Sequence, residues 1–161
     1  MGILDKLKAA AAAVTGGAAQ VTLEYEPKVV MPGDAIRVKV TAASAGAEVK
    51  SGGVFVDLRA EEQIRVPRSA VAMQTKDSVL SMGDIHVEKT TFEQSFPIAP
   101  ALVLASNESK QFEGTVQVPA GVEPSYRGPH SEHRWQIRGR LDAFGNDPDS
   151  GWQPVRIGVK I

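Results

Sequence analysis

Arg134-Trp135-Gln136-Ile137-Arg138-Gly139-Arg140-Leu141-Asp142 is the stretch that decides the fold class. Trp135, Ile137 and Leu141 fall on one side of an extended chain, and Arg134, Gln136, Arg138, Arg140 and Asp142 fall on the other. A two-residue period of this kind belongs to a half-buried strand, because successive side chains of an extended backbone point to opposite faces. Val155, Ile157, Val159 and Ile161 repeat the pattern against Arg156, Gly158 and Lys160. The stretch between, Gly145 to Gly151, consists of residues that tolerate tight turns.

The same period runs back toward the amino terminus. Val21, Leu23 and Tyr25 alternate with Thr22 and Glu24; Pro32-Gly33-Asp34 turns the chain; Ile36, Val38 and Val40 alternate with Arg37 and Lys39. Ala42 to Gly53, rich in Ala, Gly and Ser, is expected to be a loop. Val54, Val56 and Leu58 form the next strand, and Ile64 with Val66 a short element ended by Pro67. Ile85 and Val87, Phe92 and Phe96, and Leu102 and Leu104 indicate further strands broken by Pro97 and Pro100, before Phe112, Gly114, Val116 and Val118 resume the alternation. About eight short strands, 10 prolines and 15 glycines, with no second helical pattern, predict an all-β, antiparallel two-sheet β-sandwich rather than an α/β fold.

A chain of 161 residues is one domain of ordinary size. The expected division is a helical extension over residues 1–17 and a single sandwich over 18–161. Lys and Arg number 18 against 19 Asp and Glu, so the positive field of a general nucleic-acid binder is missing. With no cysteine, a disulfide framework, a thiolate metal site and a cysteine nucleophile are all excluded.

The opening Met1-Gly2-Ile3-Leu4-Asp5-Lys6-Leu7-Lys8 and the alanines after it predict a short helix stopped by Gly16-Gly17. Its alanine-rich apolar stretch is too weak for a secretory signal, so a cytoplasmic protein is expected. Ile3, Leu4, Leu7 and Val14 give the helix an apolar stripe, with Lys6 and Lys8 at its polar edge. Two readings stay open. The helix docks on its own domain or frays in solvent, or it anchors the protein to a partner or to the inner face of a membrane.

Four segments, in order, resemble a known family. Pro32-Gly33-Asp34-x-Ile36-x-Val38, Phe112-x-Gly114-x-Val116-x-Val118-Pro119, Pro124-Ser125-Tyr126-Arg127-Gly128 and Trp135-x-Ile137-x-x-x-Leu141-Asp142 are similar to the amino-terminal sandwich of arrestin-like proteins. The opening eight residues are similar to the start of bacterial sporulation-control proteins of that fold. The resemblance implies an arrestin- or immunoglobulin-like sandwich and an adaptor role. The chain differs in length, ending after one such sandwich.

Motifs for chemistry are few. His130-Ser131-Glu132-His133 is the one close histidine pair, but residues three apart on a strand point to opposite faces, so no metal is expected. Asn146, Asp147 and Asp149 lack the spacing of a calcium loop and suit a plain turn. There is no GxSxG elbow, P-loop or dinucleotide fingerprint, so the chain is expected to be no enzyme and to need no cofactor. Trp135 and Trp152 are expected in the core.

Arg127, Arg134, Arg138 and Arg140 cluster in a chain of near-neutral charge. They suit either a solvated sheet face, paired across strands with acids, or a docking surface for an acidic protein partner, a phosphorylated peptide or an anionic lipid surface. The expected function is therefore a non-enzymatic adaptor or scaffold, in bacterial sporulation or in stress or cell-envelope regulation. The alternative is a self-assembling homo-oligomer that uses the helix or the carboxy-terminal strand as an edge.

Overall fold

A computed structural model of the protein describes residues 19–68, 83–143 and 145–159. In chain order its strands are β1 (Ala19–Glu26), β2 (Val29–Val30), β3 (Ala35–Ser44), β4 (Val49–Val66), β5 (Ile85–Ala99), β6 (Leu102–Leu104), β7 (Ser109–Gln117), β8 (Tyr126–Arg127), β9 (Ser131–Ala143) and β10 (Gln153–Ile157). The helix predicted over 1–17, with Ile3, Leu4, Lys6, Leu7, Lys8 and Val14, lies outside the described residues.

The strands form two sheets. The smaller has the order β1-β3-β7; the larger runs β2-β10-β9-β4-β5, with β6 paired to β4 and β8 to β9. Each strand pair is antiparallel except β2 with β10, which makes the larger sheet mixed rather than purely antiparallel.

Alternation builds the core. β1 turns Ala19, Val21, Leu23 and Tyr25 inward, β3 turns in Ile36, Val38, Val40 and Ala42, and β9 turns in Trp135, Ile137 and Leu141. Burying each of the larger aliphatic side chains contributes about 1.5–3 kcal/mol. A one-residue slip would send a whole set to solvent, so these faces hold the register. Gly139 sits where the sheets meet: a Cβ there would lie 3.2 Å from Val40 Cγ2 and 3.5 Å from Leu23 Cβ. The indole of Trp135 is anchored by Nε1 donating to Glu123 O at 2.9 Å.

Four expectations change. The loop expected over Ala42 to Gly53 is mostly strand, because β3 extends to Ser44 and β4 begins at Val49. Ala42 and Ala43 are held by pairing on both sides, with Val21 and Gln20 of β1 and with Lys110 and Ser109 of β7, which outweighs their weak strand propensity. The two short elements around Leu58 and Val66 are one 18-residue strand, β4. Pro97 does not break β5, since β5 is the edge of its sheet and an edge strand can spare a backbone donor. Finally, the carboxy-terminal strand β10 is no edge: it lies between β9 and β2.

Candidate docking face

The outer face of the larger sheet carries the arginines that the sequence singles out. Strand register across the β4–β9 pair brings two of them opposite acids, Arg138 opposite Asp57 and Arg134 opposite Glu61, while Arg140 stands opposite Phe55 and Gln136 opposite Arg59. Arg134, Arg138 and Arg140 do share one face, as two-residue spacing on β9 requires.

Asp57 is the hub of the central part. Its carboxylate is buried, with 5% of the side chain exposed, yet it accepts from Arg138 Nε at 2.9 Å, Arg140 Nε at 3.0 Å and Ser95 Oγ. Charge-assisted bonds of this kind compensate the desolvation that burying a carboxylate costs. Arg138 Nη1 reaches Asp149 at 3.4 Å and Arg140 Nη1 reaches Asp147 at 3.2 Å. Both turn acids also accept backbone N–H groups, Asp147 from Ala143 and Asp149 from Gly151. They are turn and ion-pair residues, and among the described residues no group of three His, Asp or Glu is placed to hold a metal.

Trp152 departs from the expected core position. It is half-buried on this outer face, with Arg59 Cζ 4.0 Å and Arg138 Cζ 4.5 Å from its ring centroid. The electron-rich ring attracts guanidinium groups, and Arg59 is held further by Gln136 Oε1 at 3.0–3.1 Å and Glu61 at 3.2 Å.

Pairing weakens along the face. Arg134 makes only long contacts, 3.5 Å to Glu61 and 3.6 Å to Glu88, and its buried Nε has no acceptor among the described residues. At the far end Arg127 on β8 is exposed, as is Arg65 near the end of β4. No described acid forms an ion pair with either guanidinium. Both line a groove of about 200 Å³ together with Gln63, His130, Ser131 and Glu132. Of the four predicted arginines, then, three are joined in one network and Arg127 stands apart from it.

Arg65, Asp57, Arg59 and Trp152 were not foreseen as members of this face. A two-residue count from Asp57 to Arg65 would have placed Asp57, Arg59, Glu61, Gln63 and Arg65 together, but only if β4 is read as one strand.

The two histidines diverge because His130 lies in the turn before β9 and His133 at an inward position of β9. His130 is exposed, whereas His133 is buried, donating from Nδ1 to Pro124 O at 2.8 Å and meeting Thr91 Oγ1 with Nε2 at 2.8 Å. Tyr126 stacks beside it and donates to Glu62 Oε1 at 2.7 Å, a bond that raises the tyrosine pKa. A wider cleft of about 670 Å³ over the smaller sheet is lined by two ion pairs, Arg37 with Glu26 at 2.9 Å and Lys39 with Glu24 at 3.1 Å, and by Glu113.

No family model matches the chain, and no curated protein matches it. The fold is like that of Spo0M. The crystal structure of this sporulation control protein from Bacillus subtilis superposes with a TM-score of 0.57 and 19% identity, over 90% of this chain and 50% of that one. The chain thus spans about half the length of Spo0M. Two further solved structures are an alkylpurine DNA glycosylase of Pseudomonas fluorescens bound to abasic-site DNA and a family 123 glycoside hydrolase from Clostridium perfringens. They match at TM-scores of 0.45 and 0.47, with 16% and 7% identity, over 88% and 89% of this chain and 31% and 28% of theirs. At these values they say nothing about this chain. Among the described residues, no helix is long and apolar enough to cross a membrane.

Proposed function

We propose that the chain is a non-enzymatic adaptor of the arrestin-like kind, which docks a protein partner on the outer face of its larger sheet and serves a control role such as the one named for Spo0M. Residues 18–161 are its sandwich. The observation that carries this reading is the end of the outer face, where Arg65 and Arg127 are exposed without an acid partner among the described residues. The paired centre makes a fixed platform, and the unpaired end supplies attraction for an acidic surface. The likeness in fold to a sporulation control protein supports the role, and the absence of a recognisable catalytic motif agrees with it.

The test is affinity capture from a bacterial lysate with the wild-type chain and with Arg65→Glu/Arg127→Glu, alongside flotation with phosphatidylglycerol vesicles. A protein retained by the wild type and lost with the double variant, whose thermal transition is unchanged, is the expected result. Retention indifferent to the charge reversal would sink the docking face, and flotation without protein capture would make the partner a membrane surface.

A second reading is self-assembly, favoured by β5, among the described residues an edge strand, 15 residues long, on which Ile85 and Val87 are 38% and 49% exposed. Unpaired backbone groups on such an edge can accept a strand from another copy. A monomeric sedimentation profile at every accessible concentration would count against it.

A further inference from the structure

We propose that the groove bounded by Arg65, Arg127, His130 and Ser131 is a carboxylate receptor, which takes the side chain of a Glu or Asp presented by an acidic segment of a partner protein. This rests on the adaptor reading and names the chemistry of its contact point.

The site is held by strand ends. Arg65 N donates to His130 O at 2.7 Å, and Gly128 N donates to Ser131 O at 2.7 Å, so the 128–131 turn is tied both to itself and to β4. Arg127 is placed by β8, which pairs Tyr126 with His133 and Arg127 with Glu132. Two guanidinium groups are therefore brought to one groove by backbone pairing, with no ion pair to a side-chain acid among the described residues.

The neighbouring acids are accounted for. Glu88 takes Gln63 Nε2 at 2.9 Å and Arg134 at 3.6 Å, and Glu62 takes the Tyr126 hydroxyl. Glu132 is the one acid lining the groove. Two guanidinium charges against this single carboxylate leave a surplus of one positive charge among these three side chains. One bound carboxylate cancels that surplus, whereas a phosphate dianion would overshoot it beside Glu132. A guanidinium fork suits a carboxylate bidentately. A volume of about 200 Å³ fits one acidic side chain and falls below the 300–1,000 Å³ of drug-sized ligand sites.

The experiment is an NMR titration of the full chain, following the arginine Nε–Hε signals, with a blocked Gly-Glu-Gly peptide and its Gly-Gln-Gly counterpart. The expected result is a saturable shift at Arg65 and Arg127, at least about tenfold weaker with the Gln peptide, with the shift at each arginine weakened in the variant that lacks the other, Arg65→Gln or Arg127→Gln. Arg138 and Arg140 should stay still. Equal response to the two peptides, or movement confined to Arg138 and Arg140, overturns the proposal. Tighter binding of inorganic phosphate than of the Glu peptide, or a response only to phosphatidylglycerol vesicles, overturns the carboxylate assignment in favour of phosphate or lipid. If the groove ignores the Glu peptide while a partner is still captured, the adaptor reading survives and only the groove's ligand is wrong.

Discussion

The centre and the far end of the outer face carry the same side chain in opposite circumstances. Arg138 and Arg140 converge on buried Asp57, while Arg65 and Arg127 rim a groove with no described acid paired to them. Each of Arg138, Arg140 and Arg65 stands on a strand of the same sheet, so residue type does not separate them. What separates them is whether a carboxylate reaches the guanidinium. Asp57 accepts both from Arg138, which it faces, and from Arg140, whose register partner is Phe55. Arg65 stands opposite His86, and Arg127 forms no ion pair with a described acid although Glu132 is its register partner. An arginine becomes a structural element when a buried carboxylate reaches its guanidinium, and stays available for a partner when none does.

The comparison breaks most directly at its hub. Asp57→Ala leaves two guanidinium groups and Ser95 without their shared acceptor, and removing one member of a buried ionic cluster costs about 3 kcal/mol. A urea titration should show the loss as a lower midpoint, and a change below about 1 kcal/mol would mean that the centre is no more built than the far end. Arg138→Gln should cost about 2 kcal/mol by the same measurement, against no more than about 0.5 kcal/mol for Arg127→Gln. Equal costs at the two positions would erase the distinction.

Trp152→Ala tests the platform beneath the centre. Losing the ring under Arg59 and Arg138 should lower stability by about 1 kcal/mol and leave the carboxylate-induced shift at Arg65 and Arg127 unaltered. A weakened shift would show that the two ends are coupled.

The smallest effect is one of pH. Burial raises the Tyr25 pKa above its usual 10.0, and the bond to Glu62 raises that of Tyr126. Above pH 10.0 the unfolded chain gives up these protons while the folded chain keeps them, so stability is complete below that value and falls as pH rises past it. Comparing urea midpoints at about pH 9 and about pH 11 should show the fall, reduced in Tyr25→Phe and Tyr126→Phe. A midpoint that rises over this interval would contradict the sign.

Several features were open to reading from the residues alone. The alternation at 134–142 told which side chains of β9 go inward, because a pleated strand with one buried face allows one assignment. It also put Arg134, Arg138 and Arg140 together. What alternation could not reveal was the length of β4: Glu61, Glu62 and Gln63 interrupt its apolar period where the strand runs beyond the buried core. With that stretch unread, Asp57 and Arg65 could not be assigned to the same face as the arginines of β9.

The sequence by itself determined an all-β chain, the inward and outward sides of its strongest strands, and an arginine-rich outer surface, since these follow from local two-residue geometry. Only the tertiary structure decided which arginine meets which acid, why Trp152 lies under guanidinium groups rather than in the core, and that β10 is enclosed while β5 is an edge. Those facts depend on the register and order of strands brought together from far along the chain, where contacts such as Asp57 with Arg138 join segments 81 residues apart.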